Sequence, residues 1–361
     1  MNIKLEYIWL DGSNPQQLRS KTKIVNKIDT MNPMDYPVWS FDGSSTSQAE
    51  AGKGKNTDCL LNPVFISSDP FRGGDNRLVL CEVLNPDSTP HESNSRRKLS
   101  ERVEELGITK GKKSELPWFG WEQEYTLTHK PMIPFGVGEG IPLGFTLDPN
   151  KVPRPQGDYY CGIGSDNVVG REIVEEHMDI CMEIGLDISG INAEVLLGQW
   201  EYQIGPVTAL EGSDQLWISR YLLQRVAEKH NVKVSLHPKP LKGDWNGTGC
   251  HVNFSSKEMR EDGGIEIIKE TMGKLERNQK EHIAVYGLHN SERLTGAHET
   301  SSINDFSYGF STRDTSIRIP AQATIEGKGY FEDRRPASNC DPYLVSDRML
   351  ETVYSEVETE A

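Results

Sequence analysis

Long hydrophobic runs are missing from this sequence. No stretch of about 18 consecutive apolar residues occurs, so we expect no membrane-spanning helix. Positive charge is also scarce, because 39 Lys and Arg stand against 54 Asp and Glu, giving a net charge of −15 at pH 7. A chain without a basic surplus is a poor partner for a phosphate backbone, so we expect no nucleic-acid binding.

Cysteine is used without any pairing pattern. The six cysteines form no C-x-x-C pair and no closely spaced framework. In a chain of 361 residues this indicates buried thiols in a reducing compartment rather than a disulfide scaffold. The opening stretch MNIKLEYIWLDG also lacks the apolar region of a signal peptide. We therefore predict a cytoplasmic location.

Glycine-rich phosphate-binding motifs are absent as well. The sequence contains no G-x-x-x-x-G-K-S/T match. FGVGEGIPLG, residues 135–144, lacks the strand, helix and spacing of a dinucleotide fingerprint. Any nucleotide must therefore be held by a different kind of site.

The elements that are present divide the chain into two parts, as its length suggests. KLEYIWL and LRSKTKIV are strand-like runs around a turn signal at Asp11 and Gly12, and RLVLCEVL is another strand. The breaker-rich NPDSTPHESNS then predicts a boundary between domains 1–92 and 93–361. Helices such as SRRKLSERVEELG, GREIVEEHMDICMEIG and LWISRYLLQRVAEKHN follow in irregular order with strands. This order predicts an antiparallel α+β fold rather than a doubly wound sheet.

One apolar segment, WFGWEQEYTL, carries two glutamates, Glu122 and Glu124, with a single residue between them. In a β-strand, alternate side chains share a face, so both carboxylates face away from an apolar side. They would stand roughly 6.6 Å apart. Their repulsion would be about 2.5 kcal/mol at an effective dielectric constant of about 20. Taken alone, the segment also fits a strand whose glutamate-bearing face is exposed to water, where such repulsion is nearly harmless.

A second segment, INAEVLLGQWEYQIG, reads as two strands joined at Leu197 and Gly198. That turn would put Glu194 directly opposite Glu201, where like charges are destabilising. Leucine is a poor first residue for the tight hairpin turns, which weakens this register. Two solvated glutamates on a hairpin are the alternative.

Two more segments have the same form. NGTGCHVNFS alternates an apolar face with a polar one that carries His251, and its glycines would let a ligand approach the backbone. KGYFEDRRP places Glu332 between aromatic residues and arginines. Taken singly, the first fits a hydrogen-bonded structural histidine and the second an exposed, salt-bridged edge.

All four segments together point acidic side chains at one place. Five glutamates and a histidine would repel one another there unless cations lay among them. Oxygen-rich ligand sets suit Mg²⁺ or Mn²⁺, and six such ligands indicate two or three ions with an anionic substrate. The candidate metal ligands are Glu122, Glu124, Glu194, Glu201, His251 and Glu332.

Arginines are concentrated towards the end of the chain. Each arginine taken alone fits a surface ion pair, which contributes little to stability. Guanidinium groups also hold carboxylates and phosphates bidentately, so a cluster beside an acidic metal site favours phosphoryl-transfer chemistry. The cluster comprises Arg293, Arg313, Arg318, Arg334 and Arg335.

Six motifs resemble the type II, eukaryote-like glutamine synthetase family. In chain order they are WSFDGSSTSQ, WFGWEQEY, NAEVLLGQWEYQIGP, GTGCHVNFS, RLTGAHETSSINDFSYG and SIRIP with KGYFEDRRP. The resemblance runs from about residue 5 to residue 345. It implies a small N-terminal β-grasp-like domain and a large catalytic domain whose curved antiparallel sheet, flanked by helices, lines a funnel for ATP and glutamate.

The resemblance also implies ligand sets. The metal near glutamate would be held by Glu124, Glu194 and Glu201. The metal on the ATP phosphates would be held by Glu122, His251 and Glu332. Glutamate would be bound by Asn246, Gly247, Arg293, Arg313 and Arg334. The nucleotide would be bound by Trp118, Asn253, Ser255, Tyr330 and Arg318.

Three residues resemble the family's catalytic groups. Asp42 would deprotonate ammonium, Glu299 would shield the γ-glutamyl phosphate intermediate from water, and Arg318 would stabilise the transferring phosphoryl group. Because the Asp42 loop reaches a neighbouring subunit in this family, the resemblance implies a homo-oligomer, usually two stacked pentameric rings. Ala321 departs from the family pattern, in which arginine is common, and this puts one phosphate contact in doubt.

The resemblance implies ATP-dependent ligation of ammonia to glutamate, giving glutamine, ADP and phosphate. One alternative is a related carboxylate–amine ligase with another substrate, which would require altered residues around Asn246, Arg293 or Asp42. The other is a non-catalytic structural homologue, which would have lost metal ligands.

Overall fold

Two β-sheets and a set of helices make up this computed structural model, which describes residues 1–109, 112–129, 142–145 and 153–355. The α+β prediction is confirmed. Most of the glycine-rich stretch 135–144 lies outside the described residues. The first sheet contains β1 (Asn2–Leu10), β2 (Leu18–Asn26), β3 (Trp39–Asp42), β4 (Asp58–Ser68) and β5 (Arg77–Leu84).

The second sheet and the helices follow in the chain. Its strands are β6 (Trp118–His129), β7 (Ile188–Ala193), β8 (Gln199–Val207), β9 (Val232–Ser235), β10 (Cys250–Ser255), β11 (Tyr308–Phe310), β12 (Ile317–Ile319) and β13 (Phe331–Asp333). The α-helices within the described ranges are α1 (Ser95–Glu105), α2 (Arg171–Glu183), α3 (Ala209–Lys229), α4 (Gly264–Arg277), α5 (Gln279–Val285), α6 (Ala321–Glu326) and α7 (Pro342–Tyr354). In this part of the chain no helix is both long and apolar enough to cross a membrane.

The first sheet has the strand order β2-β1-β5-β4-β3, with β1 parallel to β5 and the other pairs antiparallel. The three strands expected from the sequence are confirmed. The connection between β1 and β2 is longer than a tight turn, because Leu10 pairs with Leu18. The carboxylate of Asp11 organises this loop by accepting from the backbone N–H groups of Ser13 and Gln17. The domain boundary between residues 92 and 93 stays a prediction.

The second sheet has the order β11-β12-β13-β10-β6-β8-β7, and β9 pairs with the far end of β6. Its pairs are antiparallel except for β11 with β12. Register shifts in β6, after Phe119, and in β7, after Ile188, add local bends to a sheet that curls. Strand β6 lies inside this sheet, between β10 and β8, with one face towards the hydrophobic core and the other towards the polar side.

The core face of β6 is as the alternation predicts. Phe119, Trp121, Tyr125 and Leu127 are fully buried against the largest hydrophobic cluster, to which α3 also contributes. Gln123 is the polar exception on this face, and it is fully buried too. Burying an amide costs free energy unless its hydrogen bonds are made, so its partners are part of what fixes the strand.

Those partners come from α3 and from the segment after β13. Arg220 donates from Nε and Nη2 to Gln123 Oε1, at 2.9 and 2.6 Å. Gln123 Nε2 donates to Ser338 Oγ at 2.9 Å, and Ser338 Oγ donates to the carbonyl of Glu124 at 2.6 Å. The network therefore ties the strand that carries Glu124 to two distant parts of the chain.

A second buried polar contact joins α2 to α3. His177 Nε2 donates to the carbonyl of Ser219 at 2.9 Å, and the ring packs edge-on against Tyr202. Burial lowers the pKa of His177 to about 4, below its ordinary value of 6.5. Between these values the unfolded chain binds a proton that the folded protein does not. The stability from this group is therefore present above pH 6.5 and is lost as the pH falls towards 4.

We expect a His177→Gln variant to lose less stability on acidification than the unmodified protein. The amide can still donate to Ser219 but does not titrate, so the difference should amount to about 2 kcal/mol between pH 7 and pH 5. Chemical denaturation at a series of pH values measures it. His289→Gln, at an exposed histidine, is the control for replacing a histidine elsewhere in the chain. Parallel pH profiles for the unmodified and His177→Gln proteins would contradict this account.

Candidate active site

The polar face of the second sheet gathers the acidic side chains of the four segments. Strand β6 pairs with β10 on one side, where Glu122 lies opposite His251. It pairs with β8 on the other side, where Glu124 lies opposite Glu201. Glu332 enters from β13, which lies between β10 and β12, so it is not on an exposed edge.

The predicted hairpin register of Glu194 and Glu201 is wrong. Asn192, not Glu194, lies opposite Glu201. The backbone N–H of Glu194 instead donates to the carbonyl of Gln199, which leaves residues 195–198 as a four-residue loop. A two-residue hairpin turn requires φ > 0, which leucine does not suit. In the four-residue loop that forms instead, Gly198 takes a positive φ of 85°. Because the register moves by two residues, both acids keep the same face.

Two groups of candidate ligand atoms result, each with its oxygens or nitrogen within 4.8 Å of one another. The first group joins Glu122, Glu201 and His251, and the second joins Glu124, Glu194 and Glu201. Glu332 lies beside the first group, with Oε1 3.3 Å from Nδ1 of His251. Glu201 is thus common to both groups, although the sequence motifs assign it to one.

The crowding shows in the acid–base properties of the site. Burial, together with the charges of Glu124 and Glu201, raises the pKa of Glu194 well above its usual value. Burial and the neighbouring glutamates raise the pKa of Glu201 to about 8. Although burial and Arg334 oppose it, the surrounding carboxylates raise the pKa of His251 to about 9. Glu194 and Glu201 thus resist ionisation, whereas His251 retains its proton. A donor set of carboxylates and one imidazole fits hard divalent cations, which would relieve this repulsion.

Two arginines offset the negative charge at one edge of the cluster. Glu332 accepts from Nη1 of Arg318 at 3.0 Å and from Nη1 of Arg334 at 2.6 Å. These charges, with His251, hold the pKa of Glu332 far below its usual value despite burial. Arg313 lines the same cavity. Glu332 is therefore stabilised as a carboxylate, in contrast to Glu194 and Glu201.

Arg293 is buried among these groups with little room. Its Nη2 lies 3.1 Å from Nε2 of His251 and donates to the carbonyl of Arg334 at 3.0 Å. A Cβ at Gly247 or Gly249 would come within 2.7 and 2.4 Å of the Arg293 side chain. The glycines that we expected to admit a ligand therefore also make room for this arginine.

Arg335 does not face the site, contrary to the expected cluster. It is fully buried on the opposite side, where it forms a bidentate pair with Asp333, with Nη2 to Oδ2 at 2.6 Å and Nε to Oδ1 at 2.9 Å. The alternation of side chains along β13 explains this, since Arg334 and Arg335 must point to opposite faces.

Two cavities adjoin the acidic face. The first, of about 390 Å³, is lined by the six candidate ligands and by all of the predicted glutamate-binding, phosphoryl-stabilising and intermediate-shielding residues. These further residues are Asn246, Gly247, Arg293, Glu299, Arg313, Arg318 and Arg334. The second cavity, of about 400 Å³, is lined by the predicted nucleotide residues Trp118, Asn253, Ser255 and Tyr330. Glu122 and Gln203 line both cavities, which therefore share a wall.

Two residues named from the sequence lie elsewhere. Asp42 ends β3 in the first sheet and is exposed, and its carboxylate accepts from the backbone N–H of Ser44 at 3.0 Å. Ala321 begins α6 and is exposed. Within one chain, Asp42 thus belongs to a different sheet from the acidic face.

Three amide side chains at the site were missed by the sequence analysis. Gln199 Nε2 donates to Glu124 Oε2 at 3.2 Å and to the carbonyl of Gly247 at 2.9 Å. Gln203 donates to Glu201 at 2.8 Å, and Asn192 donates to Glu194 at 2.8 Å. The signal was available, because Gln199, Glu201 and Gln203 alternate along one strand and must share a face.

The fold and site define an enzyme for a small anionic substrate, with a carboxylate-rich wall facing arginines inside a curled sheet. A family model described as "Glutamine synthetase, catalytic domain" matches residues 94–361. The glutamine synthetase of Streptomyces viridochromogenes is 50% identical over 364 residues, covering 99% of this chain and 98% of that protein. Those of Tuber borchii and Debaryomyces hansenii are 51% and 49% identical, covering 98% of this chain and 92% and 90% of theirs.

The chain belongs to the glutamine synthetase family. It is an enzyme of glutamine synthesis, a glutamate–ammonia ligase.

The mutual repulsion of the acids predicts how the protein responds to cations. Charges 4.8 Å apart repel by on the order of 3 kcal/mol at an effective dielectric constant of about 20. Glu201 lies in both groups. At pH 9, above its pKa of about 8, this carboxylate is mostly ionised, so Glu201→Gln should there raise the melting temperature without divalent cations by several degrees. It should also reduce the further increase on adding Mg²⁺ or Mn²⁺, because a cation stabilises the folded state only through its affinity for that state.

Differential scanning calorimetry with chelator and with each cation tests this. Glu261→Gln, at an exposed glutamate away from the sheet, is the control and should behave like the unmodified protein. If Glu201→Gln lowered the chelator-treated melting temperature, repulsion would not be the dominant property of the cluster.

Proposed function

We propose that this protein ligates ammonia to glutamate in two steps across the shared wall of its cavities. ATP would phosphorylate the side-chain carboxylate of L-glutamate, and ammonia would then displace phosphate from the resulting γ-glutamyl phosphate to give glutamine. The observation that carries this proposal is the adjacency of an aromatic-lined cavity and an acidic, arginine-lined cavity through Glu122 and Gln203. That arrangement suits transfer of a phosphoryl group from a nucleotide in one to a carboxylate in the other.

The nucleotide would occupy the cavity beside Trp118. Tyr330 is partly exposed. Trp118 packs under the guanidinium of Arg260, which lies 4.0 Å from the ring centroid. Both rings line this cavity and so present aromatic surface to a base. Asn253 donates to Glu122 at 2.8 Å, and Ser255 donates to the carbonyl of Gly329. These two polar side chains would complete the nucleotide site with Arg318, which lies on the acidic side.

Glutamate would occupy the acidic cavity. Arg293 and Arg313, with Asn246 and Gly247, would hold its α-substituents, and Arg334 would bind the side-chain carboxylate or its phosphorylated form. Arg318 would stabilise charge on the phosphoryl group during transfer. Both of these last arginines are already held on Glu332, so the charge that they present is fixed in position.

Two or three Mg²⁺ or Mn²⁺ ions would complete the site, and the residues fit them. The donors are carboxylates and one imidazole, in two groups with atoms close enough to share an ion. We assign Glu124, Glu194 and Glu201 to the ion nearer glutamate. We assign Glu122, His251 and Glu332 to the ion nearer the phosphates. When bound, such ions neutralise phosphoryl oxygens and align the reacting groups.

The ammonia step would require a second copy of the chain. Ammonium is a cation that a carboxylate must deprotonate, and Asp42 is the candidate base, on the first sheet. Asp42 is exposed, as a residue that completes a neighbour's site should be. We infer a homo-oligomer of two stacked pentameric rings, with active sites between adjacent subunits. Glu299, from the other side of the cavity, would cover the intermediate.

A cytoplasmic location accompanies this function. All six thiols are free, and all except Cys161 are buried, which supports a reducing compartment. The chain of 361 residues has a net charge of −15, which disfavours nucleic acid as a partner.

An omission assay tests the reaction. Phosphate release from ATP with Mg²⁺ should require glutamate and should fall to a slow background when ammonia is omitted. Glu332→Ala should lower the full rate by at least about 100-fold because two arginines and a cation lose their shared carboxylate. Glu326→Ala, at an exposed glutamate on α6, is the control. Release that ignores ammonia would indicate another acceptor. No release from the unmodified protein under any condition would favour a non-catalytic homologue.

Subunit complementation tests the origin of Asp42. Asp42→Asn and Arg334→Ala should each inactivate the enzyme on its own. When both chains are co-expressed in equal amounts, about one quarter of the sites should pair an intact Asp42 with an intact Arg334 from its neighbour. Activity near one quarter of the unmodified level is the expected result. Activity that never exceeds that of the two single variants would place Asp42 outside the shared site.

A further inference from the structure

A short loop, residues 295–302, lines the acidic cavity with residues 298–300, among them Glu299. An isolated bridge between Thr295 and Ser302 closes its base. At its tip, His298 and Glu299 both have left-handed backbones, with φ of 56° and 60°. Two consecutive non-glycine residues in this region are uncommon and persist only when surrounding contacts hold them. The conformation of the tip therefore depends on what it contacts.

The base of the loop is held from inside the site. The single hydroxyl proton of Thr300 is shared between the carbonyl of Ala297, at 2.8 Å from Oγ1, and that of Arg293, at 3.1 Å. Nη2 of Arg334 lies 3.4 Å from the carbonyl of Glu299, a long contact. These bonds anchor one side of the tip to the arginines of the cavity.

The other side of the tip is held by a single side-chain contact. His298 Nε2 donates to Asp244 Oδ1 at 2.8 Å, the imidazole being the donor because a carboxylate can only accept. Among the described residues, Asp244 is the one hydrogen-bond partner that the His298 side chain has. Asp244 lies between β9 and β10, two residues before Asn246. The bond thus joins the two loops that border the cavity.

We propose that the His298–Asp244 bond is a latch that keeps the loop closed over the acyl phosphate until ammonia has reacted. The proposal rests on the proposed function. Water competes with ammonia at this stage: its oxygen would bond to the acyl carbon, the bond from that carbon to the phosphate oxygen would break, and glutamate would be regenerated with phosphate. Such a cycle consumes ATP without forming glutamine. His298 and Asp244 are positioning residues, because they act through Glu299.

The strength of the bond suits this task. The Asp244 side chain is 79% exposed and that of His298 is 20% exposed. An ion pair with one partner this open to solvent shifts an equilibrium by no more than about fivefold. A loop that must open for each substrate and product needs a bias of that size rather than a permanent closure.

The test compares phosphate released with glutamine formed. In the unmodified enzyme the two should be nearly equal. Asp244→Ala and His298→Ala should each raise the glutamate-dependent phosphate release without ammonia by about two- to fivefold. The KM for ATP should not change, because the nucleotide cavity is not touched. Asp262→Ala, which removes an exposed partner of Lys328 away from the cavity, is the matched control.

Two further variants separate a latch from a general structural effect. If the residues act through each other, the double variant Asp244→Ala/His298→Ala should be no more uncoupled than either single one. The exchange Asp244→His/His298→Asp should restore part of the coupling. Hydrogen exchange of the amides in residues 295–302 should be faster in both single variants.

The failure of each idea gives a different result. Phosphate release that ignores ammonia in the unmodified protein would overturn the proposed function. Coupled release in the unmodified enzyme, with an unchanged ratio of phosphate to glutamine in both single variants, would overturn the latch. Independent, additive effects of the two substitutions would also overturn it.

Discussion

The mutual repulsion of carboxylates on one face of a sheet is the constraint around which this protein is organised. Glu201 has carboxylate oxygens within a few ångströms of Glu122 on one side and of Glu124 and Glu194 on the other, and all four acids are partly or fully removed from water. Such an arrangement has a cost in an isolated chain and makes physical sense as a receptor for divalent cations. The arginines on Glu332 balance only one edge of it. The remaining charge is what the site offers to cations and, through them, to phosphates.

The opposite face of the same strand supplies the rigidity that the acidic face requires. Gln123 lies between two of the acids in sequence, and its amide is saturated by Arg220 and Ser338. Arg220 also donates to the carbonyl of Cys340, so this buried guanidinium bonds to neutral acceptors on separate parts of the chain. A buried polar network that is fully bonded favours a single arrangement, since a shift of the strand would leave several groups unpaired. The aromatic residues beside Gln123 pack into the core, but they do not fix the register of the strand as these hydrogen bonds do.

Residue patterns predicted the two-faced strands correctly, and they failed where a loop decides the geometry. Alternation in WFGWEQEYTL and GTGCHVNFS assigned the apolar core faces as found, although several residues of the polar faces are buried as well. The Glu194–Glu201 register was wrong because four residues form the turn, which no local signal specified beyond the unsuitability of Leu197. Arg335 was grouped with Arg334 by proximity in sequence, although alternation separates them. Gln199 and Gln203 were overlooked because an amide seldom suggests a site unless its neighbours are known.

What the sequence determined by itself was the identity and facing of each side chain, since strand geometry fixes these within a segment whatever surrounds it. It also carried the motifs by which the family could be proposed. Tertiary structure alone decided which segments meet. Glu122 lies beside His251 and Glu124 beside Glu201 only because distant strands pair in one register. That register depends on turn geometry and on buried hydrogen bonds such as those of Gln123, which involve residues far apart in the chain and leave no local pattern to read.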